Sequence, residues 1–385
     1  MEYLKKFATQ EEYQSWKEGD DYEYPNICKV GEDVVYNNFP DPLWIEALED
    51  IQVDLKKYNG YYYDRYGYYS FDKKNWVSFD SSPNPVVRTG QRIYVKCVNP
   101  YNVYLHISGK YNIGGSINSL RFGDDYLKVG ISGSSHGYGN FTKYAQSVVN
   151  AKELVLPPYT WYTGGDTNGF FEGIFKDCAY LKTPPRLTTM KITNAGVYLS
   201  AFEGCTSLKK APTIPNASYS TSYTKQYHER MFFGCSNLQY IKLLTTDSFG
   251  AYYAQWVEGV SPTGVFIANA KRTDFTRGVS GIPEGWDLYL YDEEKKKYVV
   301  KFKVNEIPYE FYTDEPKDVT WSEFINSEWN TNGFYSDPNT FPYHPIVFER
   351  SYNYVLLNGN YVLPGDKIII NTSYTIGPRP TTTEE

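Results

Sequence analysis

The sequence predicts a mainly β protein with some α: a short N-terminal anchor, a small β-sandwich, a repeat solenoid and a C-terminal α+β module. Three observations carry that expectation. One short pattern, Phe-x-x-Cys-x-x-Leu, occurs three times, with its cysteines 27 and then 30 residues apart. That period lies within the range of about 20 to 50 residues where self-similarity marks stacked supersecondary units. Forty of the 385 residues are Tyr, against three Met and four His, which favours sheet and broad aromatic surface over helix. At about 150 residues per domain the length suggests two or three domains, so a module fits on each side of the repeats.

Residues 1–40 are too few to fold alone. Thr9 followed by Glu12 resembles a capping box and starts a short helix carrying Tyr13 and Trp16. Residues 24–30 and 34–36 read as two extended pieces around Gly31. The aromatic residues Phe7, Tyr13, Trp16, Tyr24 and Tyr36 need a partner surface, so the segment is expected to dock onto another body.

Residues 41–113 show short strand signals at 68–71, 76–79 and 90–98, split by polar, Pro and Gly turns, the pattern of a small antiparallel sandwich. Tyr61, Tyr62, Tyr63, Tyr66, Tyr68 and Tyr69 crowd one stretch. They read either as a contact surface for a protein or glycan or as a strand with tyrosines packed on both faces. Aromatic residues are ordinary strand formers, which favours the second reading.

Residues 114–287 hold the solenoid. Its three clear copies are Phe175, Cys178 and Leu181; Phe202, Cys205 and Leu208; and Phe232, Cys235 and Leu238. After each Leu the segments 182–187, 209–215 and 239–244 read as short strands whose Leu and Ile stack from coil to coil. Each Phe ends a short helical turn on the opposite wall, and the Cys faces inward. No copy can bury its own apolar face, so the array needs neighbours on both sides. Segments 118–122 and 151–156 look like degenerate earlier coils, and 255–260, 264–268 and 278–286 close the stack.

Residues 288–377 open with a hairpin, 288–291 and 298–304, around the charged turn at 293–297. Thr320 and Glu323 form a capping box for one helix. Strands follow at 352–356, 360–362 and 367–370, and the tail 378–385 has nothing apolar to bury.

A net charge of −7 without a basic stripe argues against nucleic acid. No apolar run reaches the length of a membrane span, and the first ten residues lack the apolar centre of a signal peptide, so a chain made in a reducing cytoplasm and not inserted in a membrane is expected. The repeat cysteines suit that setting as small buried hydrophobes. With no Cys-x-x-Cys or neighbouring His, no metal is expected. A Ser in place of one of these cysteines is expected to lack a partner and to cost about 1 to 3 kcal/mol, with Ala costing less.

The common catalytic arrangements lack parts: there is no phosphate loop, no Gly-x-Ser-x-Gly elbow and no His-Glu-x-x-His helix, and 133–139 lacks dinucleotide-loop spacing. His106, His136, His228 and His344 are far apart in sequence. Carboxylate pairs such as Asp124 with Asp125, or Glu172 with Asp177, arise on loops by chance. No catalytic, cofactor-binding or metal-binding residue is assigned.

The repeats, with the continuation Ala211-Pro212-Thr213-Ile214-Pro215, resemble BspA-like leucine-rich repeats. Closed by Trp256 to Val260 and by Gly278 to Trp286, they are similar to those of structural proteins of phages infecting gut Bacteroidota, the crAss-like group in particular. The opening Tyr3 to Phe7, with Tyr24-Pro25-Asn26 and Val35-Tyr36-Asn37, resembles an N-terminal stretch of virion proteins of such phages. Residues 320–334 are similar to a small module at the C-terminus of phage and host-surface proteins. The first copy departs from the pattern, with Ala179-Tyr180 for the usual Thr-Ser and Pro185-Arg186 for Pro-x-Leu-Pro.

The resemblance implies a virion component that projects from the particle and makes contacts, at head or tail. The chain is read as a non-enzymatic, homo-oligomeric (dimeric or trimeric) head fibre projecting from the capsid and made in the host bacterial cytoplasm. Phe7, Tyr13, Trp16, Tyr24, Pro25, Asn26 and Tyr36 are its candidate anchor to a capsid or other virion protein, with host-surface or mucosal glycans or proteins as candidate contacts. It implies no cofactor. A tail appendage or receptor-binding protein, a bacterial surface adhesin and a glycan-cleaving tail enzyme are the alternatives. The adhesin is disfavoured by the missing export signal, and the enzyme requires clustered carboxylates.

Overall fold

Pairing of short strands organises the chain, which is mainly β with few, short helices and several separate sheets. The computed structural model describes residues 4–7, 27–30, 33–36, 41–58, 63–97, 103–126, 141–156, 171–187, 191–192, 197–216, 218–219, 227–304, 306–325, 353–358, 360–361 and 365–378. The chain divides into two compact units, residues 1–266 with 272–287 and residues 267–271 with 288–385.

In the first unit, Leu4–Phe7 runs parallel to Ile27–Val30, which pairs antiparallel with Asp33–Tyr36 to give a three-stranded sheet of its own. Leu4, Ile27 and Tyr36 stand in register across it. The helix expected after Thr9 lies outside the described residues.

Two further sheets follow. Trp44–Ala47 lies between Arg92–Lys96 and Tyr111–Ser116, antiparallel to both, and the hairpin of Tyr68–Ser70 with Val77–Ser78 extends the sheet beyond Arg92–Lys96. Ile51–Tyr58 forms the second sheet with Val103–Ser108 on one side and Tyr63–Arg65 and Val86–Val87 beside it. Strand periodicity fixes the faces: Ile93 and Val95 are fully buried while Arg92 and Tyr94, which alternate with them, are half-buried. The polar hairpin turn is held by Asp72, whose Oδ1 accepts the N–H groups of Lys74 and Asn75, each at 2.8 Å.

Tyr111–Ser116 also runs parallel to Val148–Asn150 and Leu154–Val155. Residues 113 and 114, on either side of the boundary expected from sequence, therefore lie in one strand that serves both the sheet and the segments leading into the repeats. Gly114 permits the crossing, because a Cβ there would stand 2.1 Å from Cζ2 of Trp44.

In the repeats Phe175, Phe202 and Phe232 are fully buried and stacked, with ring centroids 5.7 and 5.6 Å apart. Their backbone N–H groups donate to the carbonyls of Ala201, Met231 and Trp256 in the following repeat at 2.8, 2.9 and 2.8 Å. The same link recurs two residues earlier, from Gly173, Ser200 and Arg230, and two residues later, from Asp177, Gly204 and Gly234. Those flanking residues adopt positive φ, as do Gln255 and Gly259, so a fourth turn of the same geometry occupies 255–259, where the sequence places the closing pattern. Glycine takes this conformation without strain in three of the four later positions.

Two local expectations change. The helical turn at each Phe is a single tight turn, with Cys178, Cys205 and Cys235 donating N–H to the carbonyl three residues back. The strands expected at 182–187 and 209–215 contract to single bridges at Thr183, Lys210 and Ile214. Pro184, Pro185, Pro212 and Pro215 have no N–H to extend a ladder, whereas the proline-free third copy forms the strand Tyr240–Leu243. At the end of the array the indole N–H of Trp256 donates to Gly281 and that of Trp286 to Ser261, both at 2.8 Å.

In the second unit Lys297–Val304 pairs with Asp287–Asp292 and Thr372–Pro378, and with Ile307–Thr313 on its other side. Thr372–Pro378 carries the sheet on to Asn353–Leu357 and Asn360–Tyr361. The capping box forms as predicted: Glu323 Oε2 accepts the Thr320 N–H at 2.9 Å, and Thr320 Oγ1 accepts the Glu323 N–H at 3.2 Å. Helix Trp321–Ile325 thereby sets Trp321 and Phe324 against Phe302, Val304 and Tyr374.

Replacing Phe202 with Ala removes the middle ring of the stack and is expected to cost about 3 to 5 kcal/mol, read from denaturant unfolding. A loss below about 1 kcal/mol would contradict the role given to the ring column.

Candidate functional site

All nine repeat residues, from Phe175 to Leu238, are fully buried. The thiols of the second and third copies have specific acceptors. Sγ of Cys205 donates to the Phe175 carbonyl at 3.1 Å and Sγ of Cys235 to the Phe202 carbonyl at 3.0 Å, so each carbonyl receives the N–H of its own repeat and the thiol of the next. Cys178 has Thr142 Oγ1 at 3.7 Å. Burial pushes the thiols of Cys178 and Cys235 up to about 12 and that of Cys205 well above its ordinary value. They are free cysteines held in their neutral form. The acceptor also corrects the expectation that a hydroxyl here would be orphaned, because Ser finds the same carbonyl.

A second column runs beside the first. Phe171, Tyr198, His228 and Tyr253 stack in order at 5.6, 5.9 and 4.9 Å. Burial, with the Arg272 guanidinium beside it, holds His228 down at about 3. Arg272 itself lies 3.9 Å over the Phe249 ring and donates to the carbonyls of Asp274 and Thr245, while Thr245 and Tyr253 share a hydrogen bond of 2.8 Å. Four residues before each repeat Phe the chain carries an aromatic ring or His228, a signal that aligning the copies on Phe would have exposed.

The turn wall carries charge at its rim. Glu203 accepts two bonds from Arg230, at 2.8 and 3.2 Å, and lies 3.1 Å from Lys176. Burial works against its charge, yet hydrogen bonds from Arg230, Ser200 and Lys176 hold its carboxyl down at about 2. The Arg230 guanidinium also covers the Phe233 ring at 3.6 Å.

The other residues singled out from sequence disperse. Phe7 and Tyr36 end strands of the N-terminal sheet, while Tyr13, Trp16, Tyr24, Pro25 and Asn26 lie outside the described residues. Asp124 is exposed and ion-paired to Lys96 at 2.6 Å, and Asp177 donates its N–H to Glu203 in the repeat ladder. His106 stacks on Tyr144 at 4.5 Å; His136 and His344 are not among the described residues. Of the crowded tyrosines, Tyr69 packs on buried Phe79 at 5.0 Å and Tyr68 is exposed. Among the described residues no group of three or more His, Cys, Asp or Glu is placed to hold a metal ion.

On one face of the Trp44–Ala47 sheet, Arg92 covers the buried Trp44 ring at 3.9 Å, buried Lys96 covers Trp76 at 4.0 Å and exposed Lys73 lies 5.3 Å from Tyr94. Each cation is paired, with Glu46, Asp124 and Asp41 respectively. The alternation Arg92, Tyr94, Lys96 within one strand was its visible signal. Cations stacked on rings and held by carboxylates stiffen this face.

Compared with known proteins, the chain matches no family model, no curated protein and no solved structure.

Two measurements follow. Native protein should leave Cys178, Cys205 and Cys235 unlabelled by thiol reagents until denaturant is added, and Ser and Ala at Cys205 should each cost about 1 kcal/mol; rapid labelling of the native protein would refute the burial argument. Stability should peak between about pH 6.5 and 9. Below 6.5 the unfolded chain protonates a histidine that the fold keeps neutral, and above 9 it releases thiol protons that the fold retains. His228→Phe should reduce the slope between pH 6.5 and 5 by up to about 1.4 kcal/mol per pH unit, leaving the share of His106, which burial also lowers; an unchanged slope would assign it elsewhere.

Proposed function

We propose that this chain is a non-enzymatic structural protein of a phage virion, a homo-oligomeric head fibre that projects from the capsid. In this reading residues 114–287 are a BspA-like leucine-rich-repeat solenoid. Residues 41–113 form a β-sandwich at its start, and the second unit is an α+β module. The observation that carries the reading is the use of every repeat-pattern residue in packing. Phe, Cys and Leu of all three copies are fully buried, so the array serves as a scaffold and its outer residues remain for contacts. The charged rim around Glu203 and the ring-backed face around Trp44 and Tyr94 are the surfaces such a fibre offers to a host-surface glycan or protein.

Attachment falls to residues 1–40. Their strands pair only with one another among the described residues, and a three-stranded sheet of four-residue strands gains stability chiefly by packing on something larger.

Mass spectrometry and cryo-EM of purified particles test the reading directly: the chain should be present and locatable on the capsid, and its absence from clean particles would overturn it. Deleting residues 1–40 should leave a folded protein that no longer joins the particle. Normal incorporation of the truncated chain would remove the anchor from the scheme.

A further inference from the structure

Strand Ile307–Thr313 borders the sheet of the second unit, and among the described residues it pairs only with Lys297–Val304. The backbone groups on its open side can be identified. The carbonyl of Lys301 accepts the Asn371 N–H at 2.6 Å, on the side of Lys297–Val304 away from this strand. Glu310 stands directly opposite Lys301, so this is a pair without mutual hydrogen bonds, and Glu310 turns its own N–H and C=O outward. Counting by two, Pro308, Glu310 and Tyr312 present outward backbone, and Pro308 has no N–H.

The side chains sort by the same alternation. Tyr309 and Phe311 pack against the buried cluster, with Phe311 6.0 Å from Phe324. Glu310 and Tyr312 occupy the other face, where the Tyr312 hydroxyl donates to the Glu310 carboxylate, Lys301 lies 3.0 Å from Glu310 and Lys295 3.8 Å from the Tyr312 ring. The edge thus offers a seven-residue strand rich in aromatic residues and without lysine. Pro308 and the charge of Glu310 blunt part of this edge, while the outward backbone of Glu310 and Tyr312 still templates pairing with another chain.

We propose that this edge pairs antiparallel with the same strand of a second copy, the two-fold axis passing between the two Phe311 residues. Glu310 and Tyr312 of each chain then exchange both backbone bonds with Tyr312 and Glu310 of the other, an isologous contact. Chemistry selects this register. Moving the axis to Glu310 sets two carboxylates opposite each other and asks Pro308 for an N–H it lacks. Moving it to Tyr312 leaves Glu310 facing residues beyond the strand. With the axis at Phe311, every outward N–H within the strand meets a carbonyl, and each carboxylate faces a tyrosine rather than its own copy.

The proposal deepens the homo-oligomer part of the reading above, and the experiment separates the two. Light scattering on the full chain at tens of micromolar should give a dimer, or a higher oligomer containing one. Tyr312→Phe, which keeps the N–H, should leave it unchanged, while Tyr312→Pro, which removes that N–H, should dissociate this contact. In the unaltered protein the amides of Glu310 and Tyr312 should exchange with solvent at least about tenfold more slowly than an open edge allows, a readout that stands even if the proline variant does not fold. A monomeric wild-type chain overturns this proposal and the oligomer reading together. An oligomer that persists in Tyr312→Pro, or one with both amides in fast exchange, overturns this contact alone.

Discussion

Within each repeat, alternate backbone N–H groups point along the array, where only the next repeat's carbonyls can accept them. A buried amide without a partner is costly, so no repeat is complete by itself, and most other features of the first unit follow from that dependence. Left-handed residues recur on both sides of each Phe because they aim the donors in one direction. The Phe rings stack because the strand-like spacing of linked backbones, about 4.8 Å, leaves neighbouring side chains nowhere else to go. The ends need donors or acceptors of another kind. At the start Leu105 and Ile107 in Val103–Ser108 donate to the carbonyls of Phe141 and Tyr144, and at the far end Gln255 and Val257 donate to Oγ of Ser280 and the carbonyl of Val279.

Periodic and strictly local signals were legible in the sequence. Phe175, Phe202 and Phe232 announced their stack through spacing alone, and Thr320 with Glu323 announced its cap through two residue types three positions apart. What depends on distant partners was not. The doubling of Tyr111–Ser116 between two sets of strands cannot be read from its own composition. The cations above Trp44 and Trp76 come from strands and turns tens of residues away, so no local window contains the pair. Prolines follow Leu181 and Leu208 where the apolar pattern is that of a strand; the missing N–H groups, a backbone property, decide the outcome.

The Cys position illustrates how a packing residue acquires a polar role. A thiol fits the space between two turns, and its weak donor reaches a carbonyl already bonded to an N–H. Carbonyl oxygens have two lone pairs, so the second bond competes with nothing. At the first clear copy the neighbour is Thr142, whose hydroxyl donates to the Ile174 carbonyl at 2.7 Å and lies 3.7 Å from Cys178 Sγ.

Separate closures at the two ends have a consequence on the evolutionary scale. Each internal link joins equivalent positions, so an in-frame duplication of one whole unit, 27 or 30 residues in this chain, meets acceptors on one side and donors on the other. Neither terminus needs redesign. A partial duplication strands its amides and is selected against. The reach of such a protein is therefore a quantity that recombination can adjust in discrete steps of about 5 Å, independently of whatever either end holds.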